Sequence, residues 1–537
     1  MHLVDLTLTS SRSFPAILAE QVASNGAAKF LVTEERSLSF AEVGELTDHL
    51  AGGLQQLGVG RQDRVALMLG NDIEMVLLAL AINKLGAIWT PINSEYKGEW
   101  LADNLERCRC KVLAVGAEYA PRIAGIRDRI KDVALVAVGG GSEELPDATD
   151  YQQLLEAQPA DLSGVSYDYG DTCSILWTSG TTGKSKGVMQ SYNCWVRAIS
   201  KGASLQYQTQ DGDVIYNMLP LYHSAAWITG IYRAMIEGVA CVIEKRFSVT
   251  NFWERVRLFN ASQTFMLGAM GVFLLNAPEQ DDDADNSMRV AGVVPLSPDQ
   301  RSEFERRFGV SIPRSGLGQS ECLLVCTQIE DRADVPLHAL GFPVDDSEVA
   351  ILDDNGDPVA DGETGEICVR PLEPHVVFSG YFDNPEATAE AYYGEWYRTG
   401  DLGRKDPSNG AFFFVDRKKD AIRYAGRNIS TMEVESVAMR HPEVAEVAAF
   451  GIQSAEVEAE HELKLNVVRT KDSGLSHEAL AAFINDNAPY YFVPRYMDFV
   501  DALPMTPTNK VQKFKLREAG VGPDTWDLKR SGYEVKR

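Results

Sequence analysis

Along the first 170 residues, apolar positions switch repeatedly between a helical and a strand period. From Phe40 to Leu57 they recur every three or four residues, with Ser39 just ahead and Glu42 in the first turn, which predicts an amphipathic helix opening after Ser39. Gly58-Val-Gly-Arg-Gln-Asp interrupts that period, and Arg64-Val-Ala-Leu-Met-Leu reads as a strand. Asp72 can cap a second helix, Ile73 to Leu85, closed by Gly86, and Ala87 to Ile92 is another strand. Strand, helix and strand at this spacing form a βαβ unit, so a parallel sheet with helices on its faces is expected. The fold class is therefore α/β.

Near residue 335 the pattern changes. Asp353-Asp-Asn-Gly-Asp-Pro is a hairpin turn between alternating stretches, and Gly362-Glu-Thr-Gly-Glu-Ile-Cys-Val-Arg opens a further strand. Residues from about 335 to 415 thus read as a small antiparallel subdomain. Further on come a helix from Thr431 to Arg440, strands near Val444 to Ile452 and Leu463 to Val468, and a helix from Ser476.

Composition narrows the partners. A chain of 537 residues with 45% hydrophobic and 24% charged residues is globular and large enough for two or three units. Its net charge of −26 argues against nucleic acid and against an anionic membrane surface, although a local basic pocket could still hold an anionic substrate. The eight cysteines are scattered, and Cys108-x-Cys110 is too tight for a C-x-x-C site, so reduced thiols are expected. The N-terminal residues lack a signal-peptide pattern, and the longest apolar run, Met75 to Ile82, is too short to span a membrane. The last residues are Glu-Val-Lys-Arg, not a peroxisomal S-K-L address. A cytoplasmic protein is expected.

The stretch richest in chemistry is Ser174 to Val188, S-I-L-W-T-S-G-T-T-G-K-S-K-G-V. An apolar strand runs into three glycines, three threonines, two serines and two lysines within ten residues. Glycines let backbone amides turn inward, hydroxyls donate, and lysines bring charge, which suits a loop around polyphosphate. A plain connecting loop is the other reading of such composition. A Walker P-loop needs glycine five residues before Gly183, where this chain has Thr178.

This stretch resembles the phosphate-binding signature [ST]-S-G-[ST]-T-G-x-P-K-G of the adenylate-forming superfamily, which includes acyl-CoA synthetases, peptide-synthetase adenylation domains and luciferases. Ser185 stands at the proline. Companion signatures follow in the family's order. Leu57-Gly-Val with Asp63-Arg-Val-Ala-Leu, and Lys84-Leu-Gly-Ala-Ile-Trp-Thr-Pro-Ile-Asn, resemble the first two. Pro220-Leu-Tyr-His223 is similar to P-L-[FY]-H. Ser315-Gly-Leu-Gly-Gln-Ser-Glu321 resembles Y-G-x-T-E, with Leu317 for the aromatic and Ser320 for threonine, while Arg398-Thr-Gly-Asp401 matches R-T-G-D. Asp416 to Glu433 resembles the hinge motif, and Pro504-Met-Thr-Pro-Thr-Asn-Lys510 the lysine motif near the end.

The resemblance implies a large N-terminal domain, residues 1–416, of parallel-rich sheets with helices and a barrel-like subdomain at about 335–415. A hinge at 417–419 and a smaller, mobile α+β C-terminal domain, 420–537, would follow. It implies that Thr178, Ser179, Gly180, Thr181, Thr182, Gly183, Lys184 and Lys186 hold the phosphates of ATP, and that Ser315, Gly316, Leu317, Gly318, Gln319 and Ser320 pack the adenine and phosphate. Asp401 and Arg417 would bind the ribose. Glu321 would be catalytic and hold Mg²⁺, a hard cation suited to a single carboxylate beside phosphate. His223 would lie where the acyl pocket meets the nucleotide, lining the pocket and not acting as a general base. Lys419 would be the pivot and Lys510 the catalytic lysine. Trp227, Gly268, Ala269 and Met270 are further acyl-pocket candidates.

The implied activity is adenylation of a small carboxylic acid by ATP, then transfer of the acyl group to CoA. The single-chain layout and the Lys510-Val-Gln-Lys-Phe-Lys ending are most similar to bacterial acyl-CoA ligases, including those similar to crotonobetaine/carnitine-CoA ligase. A free-standing enzyme loading a carrier protein is the alternative, although no aspartate near Trp227 offers to bind an amino group. The partners implied are the acid, ATP and CoA, and a homodimer is compatible with them.

Overall fold

The βαβ unit expected from residues 64–92 is present and extends into a seven-stranded sheet. The computed structural model describes residues 1–140, 143–178, 185–418, 422–424, 427–453, 461–505 and 511–536, with backbone alone at 423, 424, 427 and 428. Arg64–Met68 pairs in parallel with both Ile88–Pro91 and Val112–Gly116. Ala134–Val138 and Thr149–Asp150 extend the sheet on one side, and Thr172–Thr178 and Lys186–Ser191 on the other. All five residues of Val112–Gly116 are buried, as a parallel strand covered on both faces requires.

A second sheet has six strands in the order Val290–Val294, Gln263–Leu267, Val214–Asn217, Ala240–Ile243, Lys29–Val32 and Ser37–Ser39. Its pairs are parallel except the last. Both predicted helices form. Ser39 and Glu42 make a reciprocal capping box on Phe40–Gln56, and the Asp72 carboxylate accepts from Ile73 N at 2.8 Å to open Ile73–Lys84. Every residue of Ile73–Lys84 except Glu74 is buried. Lys84 is tolerated there because its ammonium donates to Gly44 O at 2.9 Å and to Asp48 Oδ1 at 2.5 Å.

Two helices in this part change winding partway. Tyr192–Ala198 continues through a π turn, Ile199–Ala203, into Ser204–Tyr207. Ser224–Ala226 likewise continues through a π turn, Trp227–Ile231, into Tyr232–Glu237.

The chain forms two compact units, residues 1–349 with 369–397, and 350–368 with 398–537. The first holds both parallel sheets and the largest apolar core. In the second, the Asp353 carboxylate accepts from the amides of Asn355 and Asp357, and Gly356 takes a left-handed φ of 87°, closing the predicted hairpin turn. Residues 401–405 pair antiparallel with Phe412–Arg417 there, while residues 335–349 and 369–397 of the stretch read as an antiparallel subdomain belong to the first unit. The remainder is an α+β layer whose sheet runs Val444–Gln453, His461–Arg469, Tyr496–Phe499 and Trp526–Asp527. Helices Thr431–Met439 and His477–Asn487 contribute to its core. Among the described residues, no helix is long and apolar enough to cross a membrane.

Candidate active site

The glycine-rich stretch joins two antiparallel strands, with Thr178 opposite Lys186 in register. A Walker P-loop would lead into a helix, so the mismatch at Thr178 coincides with a different architecture. Ser179, Gly180, Thr181, Thr182, Gly183 and Lys184 lie outside the described residues, as do Lys419 and Lys510. Both shoulders of the hairpin are described. The Thr178 hydroxyl is 3.4 Å from Lys186 O. Ser185, which stands at the proline of the resembled signature, is buried; its hydroxyl shares a 3.2 Å hydrogen bond with Tyr96, and its carbonyl accepts from Arg107.

Strand Lys186–Ser191 meets residues 379–382 on its other side. Ser379 N donates to Met189 O at 2.8 Å, and Phe382 N donates to Gly187 O at 2.7 Å. This pairing brings Tyr381 beneath Lys186, whose ammonium lies 4.6 Å from the ring centroid, a cation–π contact. The Tyr381 hydroxyl donates to Glu321 Oε1 at 2.9 Å. Burial, followed by the charge of Glu321, pushes the Tyr381 phenol well above the ordinary tyrosine range, so it stays a donor at neutral pH. One tyrosine thus holds a carboxylate at its tip and a cation on its face.

Gly316–Leu317 pairs with Cys326–Thr327, so residues 318–325 form a loop on a short two-stranded base. Several side chains pin this loop. Gln206 donates to Ser315 O at 3.4 Å and to Thr327 Oγ1 at 2.9 Å, Gln190 donates to Ser320 O, and Tyr397 donates to Gln319 Oε1 at 2.5 Å. Gln319 and Cys322 exchange backbone hydrogen bonds across the turn, and Phe378 N donates to Glu321 O at 2.8 Å. Glu321 is therefore held from both its backbone and its side chain.

His223 precedes the short helix Ser224–Ala226, and its ring packs on Tyr222 at 4.6 Å. Trp227 is wholly buried, stacks near Trp89 at 4.5 Å, and donates to Leu221 O at 2.7 Å. Gly268 has a packing reason: an added Cβ would lie 1.9 Å from Pro295 O. Ala269 is half-buried and Met270 is buried against the core.

In the second unit, Asp401 is fully buried and directly opposite Arg417, whose Nη1 lies 2.6 Å from Asp401 Oδ1. Thr399 Oγ1 accepts from Asp401 N at 3.1 Å, and the buried Glu366 accepts from Gly400 N and from Lys418. Just before the sequence-predicted hinge, the Asp416 carboxylate accepts from both Thr431 N at 2.6 Å and Thr431 Oγ1 at 2.9 Å.

Sequence reading missed Tyr381. Val376-Val-Phe-Ser-Gly-Tyr-Phe before Asn384-Pro reads as a strand with a turn, and nothing local links it to a glutamate sixty residues earlier. Tyr381→Phe keeps the ring under Lys186 and deletes one hydrogen bond to a charged group. It is expected to lower stability by about 1.5 kcal/mol, visible as a reduced urea midpoint with an unchanged slope. An unchanged midpoint would show that Glu321 does not depend on this hydroxyl.

A sequence profile described as AMP-binding enzyme matches residues 18–382, and one described as AMP-binding enzyme C-terminal domain matches residues 433–510. The crotonobetaine/carnitine–CoA ligase of Salmonella heidelberg (strain SL476) is 30% identical over 492 residues, covering 90% of this chain and 93% of the relative. Its Salmonella typhi counterpart is 31% identical over 494 residues, with the same coverage of 90% and 93%. Among solved structures, the anthranilate CoA ligase AuaEII in complex with anthranoyl-AMP aligns with a TM-score of 0.84 at 24% identity, covering 94% of this chain and 97% of that one. ATP-bound MatB from Rhodopseudomonas palustris aligns with a TM-score of 0.83 at 22% identity, covering 95% and 98%. These structural likenesses establish the fold.

Proposed function

The chain belongs to the AMP-binding enzyme family, and on that premise we propose that it is an acid–thiol ligase. It joins a carboxylic acid to ATP, forming an acyl-adenylate and releasing pyrophosphate, and then passes the acyl group to the thiol of CoA, releasing AMP. The observation that carries this reading is the Lys186–Tyr381–Glu321 cluster beside the glycine-rich hairpin. A cation and a carboxylate held at fixed places beside a loop of amides and hydroxyls suit a polyphosphate and its counter-ion.

The chemical difficulty is to bring a carboxylate against an already anionic α-phosphate. Positive charge fixed in advance lowers that barrier. Lys510 supplies it between the two reacting anions, and the loop from Thr178 to Lys186 holds the departing pyrophosphate. Ser315 to Ser320 pack the adenine and phosphates. Asp401 accepts from the ribose hydroxyls, with Arg417 adjacent. His223 lines the acid pocket, with Trp227, Ala269 and Met270 in the surrounding wall.

Mg²⁺ fits the donor set. Among the described residues no group of three or more His, Cys, Asp or Glu could hold a metal, while Glu321 offers one positioned carboxylate. That is the environment Mg²⁺ accepts, because it keeps several waters and takes only one or two carboxylates alongside phosphate. When bound there it neutralises charge developing on the phosphate oxygens. Tyr381 fixes where Glu321 presents its oxygen.

The proposal includes a domain division at 416/420, with residues 417–419 as the hinge on which the C-terminal domain swings between the two half-reactions, and a cytoplasmic location. Lys419→Pro restricts φ at the pivot. Adenylate formation is expected to persist in this variant while thioester formation falls at least about a hundredfold, read by single-turnover assays of each half-reaction. Two unchanged rates would remove Lys419 as the pivot. Pyrophosphate release across a panel of carboxylic acids, including crotonobetaine and carnitine, each with and without CoA, tests the whole reading. CoA-independent pyrophosphate release with no thioester product would favour a carrier-protein acceptor, and no release with any acid would reject acid activation.

A further inference from the structure

Helix Tyr192–Ala198 follows the outgoing hairpin strand Lys186–Ser191 with no loop between them. Its Arg197 is buried, and the guanidinium forks onto the equally buried Asp346, with Nε 2.9 Å from Oδ2 and Nη2 2.6 Å from Oδ1. Burial pushes the Asp346 carboxyl up, but the hydrogen bonds from Arg197 outweigh it and hold the group below the usual carboxylate range. A buried pair of this kind is weak ground for stability, because both charges give up their water. What the guanidinium holds besides Asp346 is the informative part. Nη1, outside the fork, donates to Leu324 O at 2.8 Å, an oxygen that also accepts from the Cys322 thiol at 3.3 Å.

Leu324 lies on the loop 318–325, three residues past Glu321. One residue before Glu321, Ser320 O accepts from the buried Gln190 of the hairpin strand. Carbonyls on either side of Glu321 are thus gripped by side chains from residues 190–197. The same segment reaches the chain that leads to Tyr381. Asn193 Nδ2 donates to Pro374 O and His375 O at 3.3 Å each, and Cys194 Sγ donates to Val377 O at 3.2 Å. Asp346 is itself tied to that chain, since its carbonyl accepts from Leu372 N at 2.9 Å. Lys201, partly exposed, lies 3.2 Å from Asp346 Oδ2 and 2.5 Å from Asp345 Oδ1. A guanidinium is planar and rigid, so seating its fork on Asp346 also sets the direction in which Nη1 points. An ammonium in its place would supply charge without that direction.

We propose that Arg197 is a positioning residue for Glu321, fixing loop 318–325 on the strand that carries Lys186 so that ATP and Mg²⁺ bind cooperatively. This rests on the reading of Glu321 as the Mg²⁺ carboxylate and deepens it. Polyphosphate is met by Lys186 and its counter-ion by Glu321, so the two bind well together only where the spacing of strand and loop is set beforehand. Tyr381 holds the Glu321 side chain, and Arg197 holds the backbone that carries it. Arg197 acts through Leu324 and not on the nucleotide.

The test compares the wild type, Arg197→Lys and the double variant Arg197→Met/Asp346→Leu as full chains. The double variant removes both charges together, because Arg197→Met alone would strand a buried carboxylate and threaten the fold. Hydrogen exchange read by mass spectrometry without ligand reports the loop, and calorimetric titration of ATP with and without Mg²⁺ reports the linkage. In the double variant, amides of residues 318–325 are expected to exchange about tenfold faster or more, while those of strand Arg64–Met68 keep their wild-type rates. The factor by which Mg²⁺ strengthens ATP binding is expected to fall about fivefold or more, with Mg²⁺-free ATP binding changed far less. Arg197→Lys keeps the charge opposite Asp346, so it is expected to melt close to the wild type and still lose most of that factor. Loop exchange at the wild-type rate in the double variant, faster exchange spread evenly over the chain, or an unchanged Mg²⁺ factor in both variants would each overturn the proposal. If Mg²⁺ does not strengthen ATP binding in the wild type either, Glu321 loses its metal role, while the exchange rates still decide whether Arg197 holds the loop.

Discussion

Replacing Lys510 with alanine is expected to slow acyl-adenylate formation by about a hundredfold to a thousandfold while leaving thioester formation from presynthesised acyl-adenylate nearly intact. The asymmetry follows from charge. In the first half-reaction a carboxylate oxygen approaches a phosphorus surrounded by anionic oxygens, and repulsion is greatest where bond formation begins. An ammonium group at that point stabilises the transition state more than the separated reactants, so its loss appears in the rate of the chemical step. In the second half-reaction the CoA thiol gives up its proton, its sulfur bonds to the acyl carbon and the bond to AMP breaks, so no carboxylate oxygen has to approach the α-phosphorus. Rapid-quench measurements of each half-reaction separate the two. Equal losses in both would remove Lys510 from the adenylation step.

Glu321→Gln is expected to lower adenylate formation by about tenfold to a hundredfold, about 1.4 to 2.7 kcal/mol at the transition state. The substitution is nearly isosteric, and its amide oxygen can still accept from Tyr381, so the loop base Gly316–Leu317 with Cys326–Thr327 stays folded. What disappears is the negative charge. Mg²⁺ should therefore strengthen ATP binding less in the variant than in the wild type, a difference that calorimetric titrations with and without Mg²⁺ measure directly. If Mg²⁺ has the same effect in both proteins, Glu321 does not hold it. Set beside Tyr381→Phe, which keeps the charge and loses its anchor, the pair separates what the carboxylate does from how it is placed.

Much of the architecture was legible because short-range chemistry and long-range packing agree. Ser39 with Glu42, Asp72 ahead of Ile73, and Ser476 ahead of His477 cap helices where the sequence places them. The turn at Asp353 to Pro358 is specified by residues in contact with their own neighbours. The candidate site's motifs stand out in the sequence, but its joins do not. Tyr381 matters because strand pairing with residues 187–189 carries it to Lys186 and Glu321, and no local pattern encodes that meeting. Gly268 illustrates the reverse problem: from sequence a small residue suggests room for a ligand, whereas here the backbone of Pro295 fills the space.

The π turns at Ile199–Ala203 and Trp227–Ile231 bear on how segments could be exchanged between relatives. A π turn accommodates an extra residue within a helix, which rotates everything downstream by roughly 100° relative to an uninterrupted helix. Tyr207 lies downstream of the first and Arg233 downstream of the second. Residue-by-residue grafting from a relative whose corresponding helix winds regularly would therefore aim the exchanged side chains at the wrong wall. A swap that respects the geometry moves each π turn together with the segment after it, so that each helical block travels whole.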